Sequence, residues 1–264
     1  MNRPTMNQLG GALPIRLGAG WNRLLSAVAL LALWQGSAMA VADPALLPSP
    51  LATFQAGYAE LMRGELLFHV AITLARVAVA FTLAMLIGSA IGILLGRSQP
   101  LDQIFNGWLV IGLNLPALVT MVLCYMWFGL TEVAAILAVT INKVPTVAAI
   151  VREGTKALDR SLFEMTHVLN VKPTRVLTRV ILPQLAPSLM AAARAGLALT
   201  WKIVLVVELL GRPNGVGFQI RTFFNFFDIA SILAYSLAFI AAVIAIETFL
   251  LQPIDRRLGR WRRA

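Results

Sequence analysis

The sequence predicts an all-α integral membrane protein with six transmembrane helices. Three observations lead there. Of its 264 residues 59% are hydrophobic and only 13% charged, with a mean hydropathy of +0.79, whereas a soluble domain carries roughly a quarter charged residues. Six apolar stretches approach the roughly 20 residues that a spanning helix needs. The basic residues gather in loops of one parity and at the two ends. At this hydrophobicity a helix is the structure that satisfies its own backbone in lipid.

The predicted spans are Leu24–Val41, Phe68–Leu95, Ile104–Phe128, Val133–Ile150, Leu185–Leu210 and Ser231–Leu251. The connections are Ala42–Leu67, Gly96–Gln103, Gly129–Glu132, Val151–Gln184 and Gly211–Ala230. A cytoplasmic N-terminus places Arg3, Arg16, Arg23 and Arg97 inside, with six basic residues of the long fourth connection and five of the C-terminal tail. Only Arg63, Arg212 and Arg221 then fall outside, and basic residues favour the cytoplasmic side. This bias accounts for most of the +10 net charge and argues against nucleic acid as a partner. Ser37-Ala38-Met39-Ala40 ends like a signal-peptidase site; its basic region is long for a signal peptide, so an uncleaved first span is expected.

Chemistry-bearing clusters are scarce. The lone Cys124 excludes a disulfide framework and a cysteine zinc site, and His69 and His167 are far apart. No metal site, cofactor or catalytic constellation is expected. A phosphate-binding Gly-x-x-x-x-Gly-Lys-Ser/Thr loop is absent around Lys143, Lys156, Lys172 and Lys202, so this chain does not hydrolyse ATP.

The one long polar stretch is 151–184. Leu162, Met165, Thr166 and Leu169 share one helical face, Asp159 or Ser161 can cap its start, and Ser161-Leu162-Phe163-Glu164 has capping-box spacing. Asn170 follows the last apolar position, where helices commonly end in a left-handed residue. Pro173 suits the first turn of a second short helix, which Leu182-Pro183 is expected to end. Such a pair could also lie passively on lipid headgroups.

This loop resembles the signature of ABC importer permeases: Glu-Ala-Ala, three residues, Gly, nine residues, then Ile-x-Leu-Pro. Glu164-Met165-Thr166 stands for the first element, Asn170 for the glycine, and Val180-Ile181-Leu182-Pro183 for the last. Leu47-Pro48-Ser49-Pro50, Thr73-Leu74-Ala75-Arg76-Val77, Trp127-Phe128-Gly129, Val207-Glu208-Leu209-Leu210-Gly211 and Gly215-Val216-Gly217 look like the nitrate/sulfonate/taurine/bicarbonate branch. The resemblance implies a type I importer architecture: a cytoplasmic tail 1–23, a permease domain 24–253 containing the coupling loop 151–184, and a basic cytoplasmic tail 254–264. It implies two cytoplasmic ATPase subunits, an external solute-binding protein, a second permease copy as a homodimer, and a bacterial inner membrane. Asp159, Leu162, Phe163, Glu164, Met165, Thr166, His167, Asn170 and Pro183 would form the ATPase contact, although Glu164 could equally be no more than a helix-end hydrogen bond.

Charged residues inside spans are costly and are functional candidates by default. Arg76, Lys202 and Glu208, with the helix interruption at Asn114 and Pro116, are the translocation-pathway candidates. Arg76 and Glu208 could instead form a structural ion pair, while Lys202 has no acid at i±4; Lys143 and Arg194 could snorkel. Gly88, Gly92 and Gly96, continued by Ala84, form a ridge for close helix packing, within the subunit or at a dimer seam. Gly211–Gly217 reads as an external loop, and the resemblance makes Phe218–Asp228 a gate or receptor platform. An ion-coupled secondary transporter is the alternative, with Glu208 and Glu247 as weak coupling carboxylates and no internal repeat. A membrane enzyme would need clustered acids or histidines, and the acidic residues here are scattered.

Overall fold

The computed structural model describes residues 19–253 apart from 160, 162–164 and 167, and helices are the only regular structure among them. Five helices are long and apolar enough to cross a membrane, and a bent helix pair makes six crossings if counted as one span. They are α1 (Ala19–Val41), α3 (Glu65–Arg97), the bent pair α4 (Gln99–Asn114) and α5 (Ala117–Phe128), α6 (Glu132–Lys156), α8 (Leu182–Gly211) and α10 (Ile229–Ile246). The predicted tails up to residue 18 and from 254 onward lie outside the described residues.

The core is built on α6, which packs lengthwise against α3 on one side and α8 on another. The small-residue ridge of α3 makes this possible. A Cβ on Gly88 would lie 2.7 Å from the Val147 side chain, and one on Gly92 would lie 2.7 Å from the Ala148 carbonyl oxygen. The ridge is therefore an intrasubunit seam. Gly92→Ala is expected to destabilise the purified protein by about 1–3 kcal/mol, because a backbone carbonyl cannot step aside as a side chain can. An unchanged thermal unfolding midpoint in detergent would contradict this.

The third span departs from a single helix over 104–128. It starts earlier, at Gln99, and bends by 93° between α4 and α5. Pro116 has no N–H and drives Leu115 out of the helical region; Leu115 sits at φ −70°, ψ 120°. The freed Leu115 carbonyl accepts a hydrogen bond from Asn142 Nδ2 at 3.4 Å. On α4, Gly112 leaves room for Pro145 of α6, 2.7 Å from where a Cβ would stand.

Two connections read as loops contain helices. Ala42–Leu67 holds α2 (Pro50–Met62), capped by Ser49, whose Oγ accepts from Ala52 N at 3.2 Å. Gly211–Ala230 holds α9 (Val216–Asn225). A third correction concerns Leu182-Pro183, which does not end the second loop helix. From α7 (Pro173–Val176) the chain passes through a π-turn, Leu177–Ile181, straight into α8, so that 174–211 is one continuous helix. The wider turn has Leu182 N bonded to Leu177 O, and it directly precedes Pro183, which has no N–H to give.

Candidate functional site

At the end of the bundle where α3 begins and α8 finishes, a buried ion network ties four segments together. Glu208 of α8 is wholly buried and Arg76 of α3 is 5% exposed; Arg76 Nη1 reaches Glu208 Oε1 at 2.7 Å. Arg76 also grips Glu132 at the start of α6, Nε to Oε2 at 2.8 Å and Nη2 to Oε1 at 2.5 Å. Its remaining donors go to the Asn214 backbone oxygen at 2.9 Å and to Asn214 Oδ1. All five N–H groups of the guanidinium are thus engaged. Arg212, itself buried, pairs with Glu132 Oε1 at 2.7 Å and with the Leu130 carbonyl at 2.5 Å. Two arginines balance two glutamates, of which Glu208 is buried and Glu132 is half exposed, and such pairing is the condition for the buried charges to persist away from water.

The network holds the turn between α8 and α9 by its backbone. Three successive amides dock on side chains below: Gly215 N on His69 Nδ1, Val216 N on Thr73 Oγ1 and Gly217 N on Glu208 Oε2, each at 2.9 Å. These are orphan donors at the start of α9, and a carboxylate is their natural partner. With Nδ1 accepting, a neutral His69 ring carries its proton on Nε2, where Glu65 Oε2 at 3.2 Å can accept it. The approach is close enough to require glycine. A Cβ on Gly215, at φ +107°, would overlap the Glu208 carboxylate, and one on Gly217 would strike the Leu205 carbonyl. The Glu208…Gly215-x-Gly217 spacing is the footprint of this docking.

The pathway candidates thus divide into separate places. Arg76 and Glu208 are paired with each other. Lys202 lies six residues before Glu208 on a different face of α8, exposed in a groove of about 660 Å³ between α8 and α10. Arg194 and Glu247 stand in the same groove among apolar walls that include Trp201 and Phe239. Among the described residues no carboxylate lies within ion-pair distance of Lys202. Asn114 and Pro116 sit at the exposed bend of the third span, where Asn114 Nδ2 bonds back to Val110 O at 2.8 Å. Lys143 does not snorkel: it is buried midway along α6. Glu132, Asn214 and His69 were missed as partners of Arg76 and Glu208. The signal available for Glu132 was its place at a helix start beside the capping residue Thr131.

At the opposite end lies the polar loop. Asp159 Oδ1 accepts from Ser161 N at 2.9 Å, and hydrogen bonds from Ser161 hold the Asp159 carboxyl below the usual carboxylate range. Thr166 is buried, whereas Met165, Val168 and Leu169 are exposed at 53%, 80% and 65%. Asn170 adopts φ +48°, and Val171 N bonds to Thr166 O at 3.0 Å, the six-to-one closure of a helix ended by a left-handed residue. Leu162, Phe163, Glu164 and His167 lie outside the described residues. Pro183 is exposed within the continuous helix that follows.

Among the described residues no group of histidine, cysteine or acidic side chains could hold a metal ion. Residues 84–260 match the family described as binding-protein-dependent transport system inner membrane component. The chain is 30% identical over 251 residues to the aliphatic sulfonates transport permease protein SsuC of Bacillus subtilis (strain 168), covering 94% of this chain and 91% of that protein. It is 29% identical over 244 residues to the taurine transport system permease protein TauC of Escherichia coli (strain K12), covering 89% and 87%. The fold is similar to that in an inward-facing structure of the MetNI methionine ABC transporter, with a TM-score of 0.66 at 20% identity over 75% of this chain and 98% of that one. A structure of an amino acid ABC transporter gives a TM-score of 0.56 at 23% identity, over 76% and 95%. With its helical bundle, its exposed loop helix and this family match over most of its length, the chain belongs to the binding-protein-dependent inner membrane components: it is the multi-pass permease subunit of an ABC importer, a transport subunit and not an enzyme, served by a separate ATPase and a solute-binding protein.

Proposed function

We propose that two copies of this chain enclose the pathway of an importer for a small organic anion of the sulfonate type, with both termini and the 151–184 loop in the cytoplasm. The exposed apolar end of the loop helix, Met165, Val168 and Leu169 closed by left-handed Asn170, carries this reading. Apolar side chains presented to water at the end of a helix are suited to be covered by a partner, and the P-loop missing from this chain makes an ATPase the fitting one. Asp159, Leu162, Phe163, Glu164, Met165, Thr166, His167, Asn170 and Pro183 form that contact. ATP-driven closure of the ATPases then moves the loop helices, and with them the spans, between outward- and inward-open arrangements. The sulfonate class rests on the two relatives named as permeases for aliphatic sulfonates and taurine.

Within the pathway we assign different roles to the candidates. Arg76 and Glu208 hold the α8–α9 turn in place beneath the docked solute-binding protein, because their hydrogen-bonding capacity is consumed internally. Lys202 contacts solute. A lysine near mid-membrane costs at least about 2.5 kcal/mol if it faces lipid, so the α8–α10 groove faces the aqueous route between the two copies. Asn114 and Pro116 line the same route at the bend of the third span. Lys202→Met is expected to leave assembly with the ATPase intact while lowering uptake by about tenfold or more, the loss of one charge-assisted contact.

The decisive experiment is reconstitution. Proteoliposomes containing this chain, its ATPase and its binding protein should take up taurine or a short alkanesulfonate only when ATP is supplied. Uptake that persists on ATP depletion and follows an ion gradient would replace this reading with that of a secondary transporter.

A further inference from the structure

Lys143 stands midway along α6 and is 5% exposed. Among the described residues it has no hydrogen-bond or ion-pair partner, and no carboxylate is close enough to act on it. The other buried cations among these residues, Arg76 and Arg212, both grip Glu132. An ammonium without a partner is among the costliest groups to hold away from water. The Lys143 Nζ is not one of the enclosed atoms that lack a partner, so the charged tip keeps an opening.

The α6–α8 seam shows where that opening lies. Lys143, Val147 and Gly154 share one face of α6 by their spacing. Ser188, Ala195, Leu199 and Lys202 share one face of α8 in the same way. The two faces meet at the loop end, where a Cβ on Gly154 would overlap Ser188. A Cβ on Gly196 would stand 3.8 Å from Val147, so the helices run antiparallel and Lys143 is level with Leu199 and Thr200. Lys202 is about 3–5 Å further along the axis. At that depth the α8 face is no longer covered, for Ala195 and Lys202 are exposed and Leu199 is 42% exposed. Two unpaired lysines thus stand at one depth, on the faces of α6 and α8 that close together only at the loop end. Thr140 and Thr200, buried at the same level, give their hydroxyl protons to carbonyls of their own helices at 2.8 Å.

We propose that Lys143 is a second binding residue for the transported anion, and that with Lys202 it forms a two-lysine station near mid-membrane. The negative group of the solute supplies the charge that no side chain of the bundle gives to either lysine. Lys143 is sheltered in the arrangement described here, and it meets the anion as α6 and α8 part above the Gly154–Ser188 contact. This inference rests on the reading of Lys202 as a solute contact.

Thiol accessibility tests the station without any solute. Lys143→Cys in the reconstituted permease–ATPase complex is treated with sulfonatoethyl or trimethylammonioethyl methanethiosulfonate, without nucleotide and with ATP. The parent chain, whose only cysteine is the buried Cys124, is the control. The expected result is modification in at least one nucleotide state, faster with the anionic reagent, with that preference lost when Lys202→Met is added. No modification in either state, or rates indifferent to Lys202, would overturn the proposal. Uptake of ethanesulfonate provides the second measurement. Lys143→Met should raise KM about tenfold or more while the complex still assembles, and Lys143→Arg should recover most of that loss. A parental KM in Lys143→Met would also overturn the proposal. If the parent complex takes up no sulfonate, the reading of the cargo fails by itself and the thiol rates decide the station.

Discussion

Glu208→Ala is expected to lower the stability of the purified permease by about 3–5 kcal/mol, the cost of removing one partner from a buried ion pair. The reason lies in what remains. Arg76 stays buried with Glu132 as its one remaining acid, Gly217 N loses its acceptor, and Thr73 keeps only the Val216 amide and the His69 carbonyl. Glu208 itself is wholly buried, so the groups it leaves behind are relieved only on the side of half-exposed Glu132. Glu208→Gln keeps the volume and one acceptor oxygen and should cost less. The double change Arg76→Met with Glu208→Leu should also cost less than Glu208→Ala, because an apolar pair leaves no orphaned charge between those two positions. Unfolding midpoints in one detergent, with the family of variants compared, provide the measurement. A loss below about 1 kcal/mol for Glu208→Ala would be typical of an exposed pair and would contradict the network as drawn.

That network explains why the α8–α9 turn can be both glycine-rich and firmly held. Glycine is chosen at 215 and 217 for close approach, and the flexibility it brings to the unfolded chain is offset by three amide anchors. Because α3, α6, α8 and α9 meet at Arg76 and Glu208, a displacement of the turn has to be shared by all four. This suits a surface on which an external protein exerts force, and it ill suits a solute site, where ligand would have to compete with saturated hydrogen bonds.

Much of this architecture is legible in the sequence because membrane helices obey a one-dimensional rule, length against bilayer thickness. Span positions, the broken third helix at Pro116, the packing ridge of α3 and the left-handed Asn170 all follow from local chemistry. What local chemistry does not carry is continuity and partnership. Leu182-Pro183 has the look of a stop, yet a π-turn of five residues accommodates the missing donor, and no sequence pattern distinguishes that from a break. Lys143 looks like a residue able to reach an interface, but burial depends on which helices close over it. For α2, the Ser49-Pro50 start was present and readable as a cap followed by a first-turn proline; the exposed, mixed composition after it hid the helix. Arg76 and Glu208 were visible as intramembrane charges 132 residues apart, and their third partner, Glu132, required the fold.

The second large effect is expected at Asn170, where a single dihedral angle decides whether the loop helix ends correctly. Asn170 holds φ +48°, a region costing most residues about 1–2 kcal/mol but open to asparagine and freely available to glycine. Proline is fixed near −65°, so Asn170→Pro cannot keep the closure in which Val171 N bonds to Thr166 O. The chain after it would leave in another direction, and Met165, Val168 and Leu169 would no longer be presented on a helix of defined end. Asn170→Gly keeps the angle and should be neutral or slightly stabilising. If the loop is the ATPase contact, the proline variant should insert normally, lose co-purification of the ATPase and retain less than about a tenth of ATP-driven uptake, a loss of more than about 1.4 kcal/mol in coupling, whereas the glycine variant behaves as the parent chain. Glu164→Ala should fall on the same side as proline if that side chain reaches the ATPase, and near the parent if it serves only its own helix. Normal transport by both Asn170→Pro and Glu164→Ala would remove the loop from the coupling route, and ATP would then have to act through another surface of the permease.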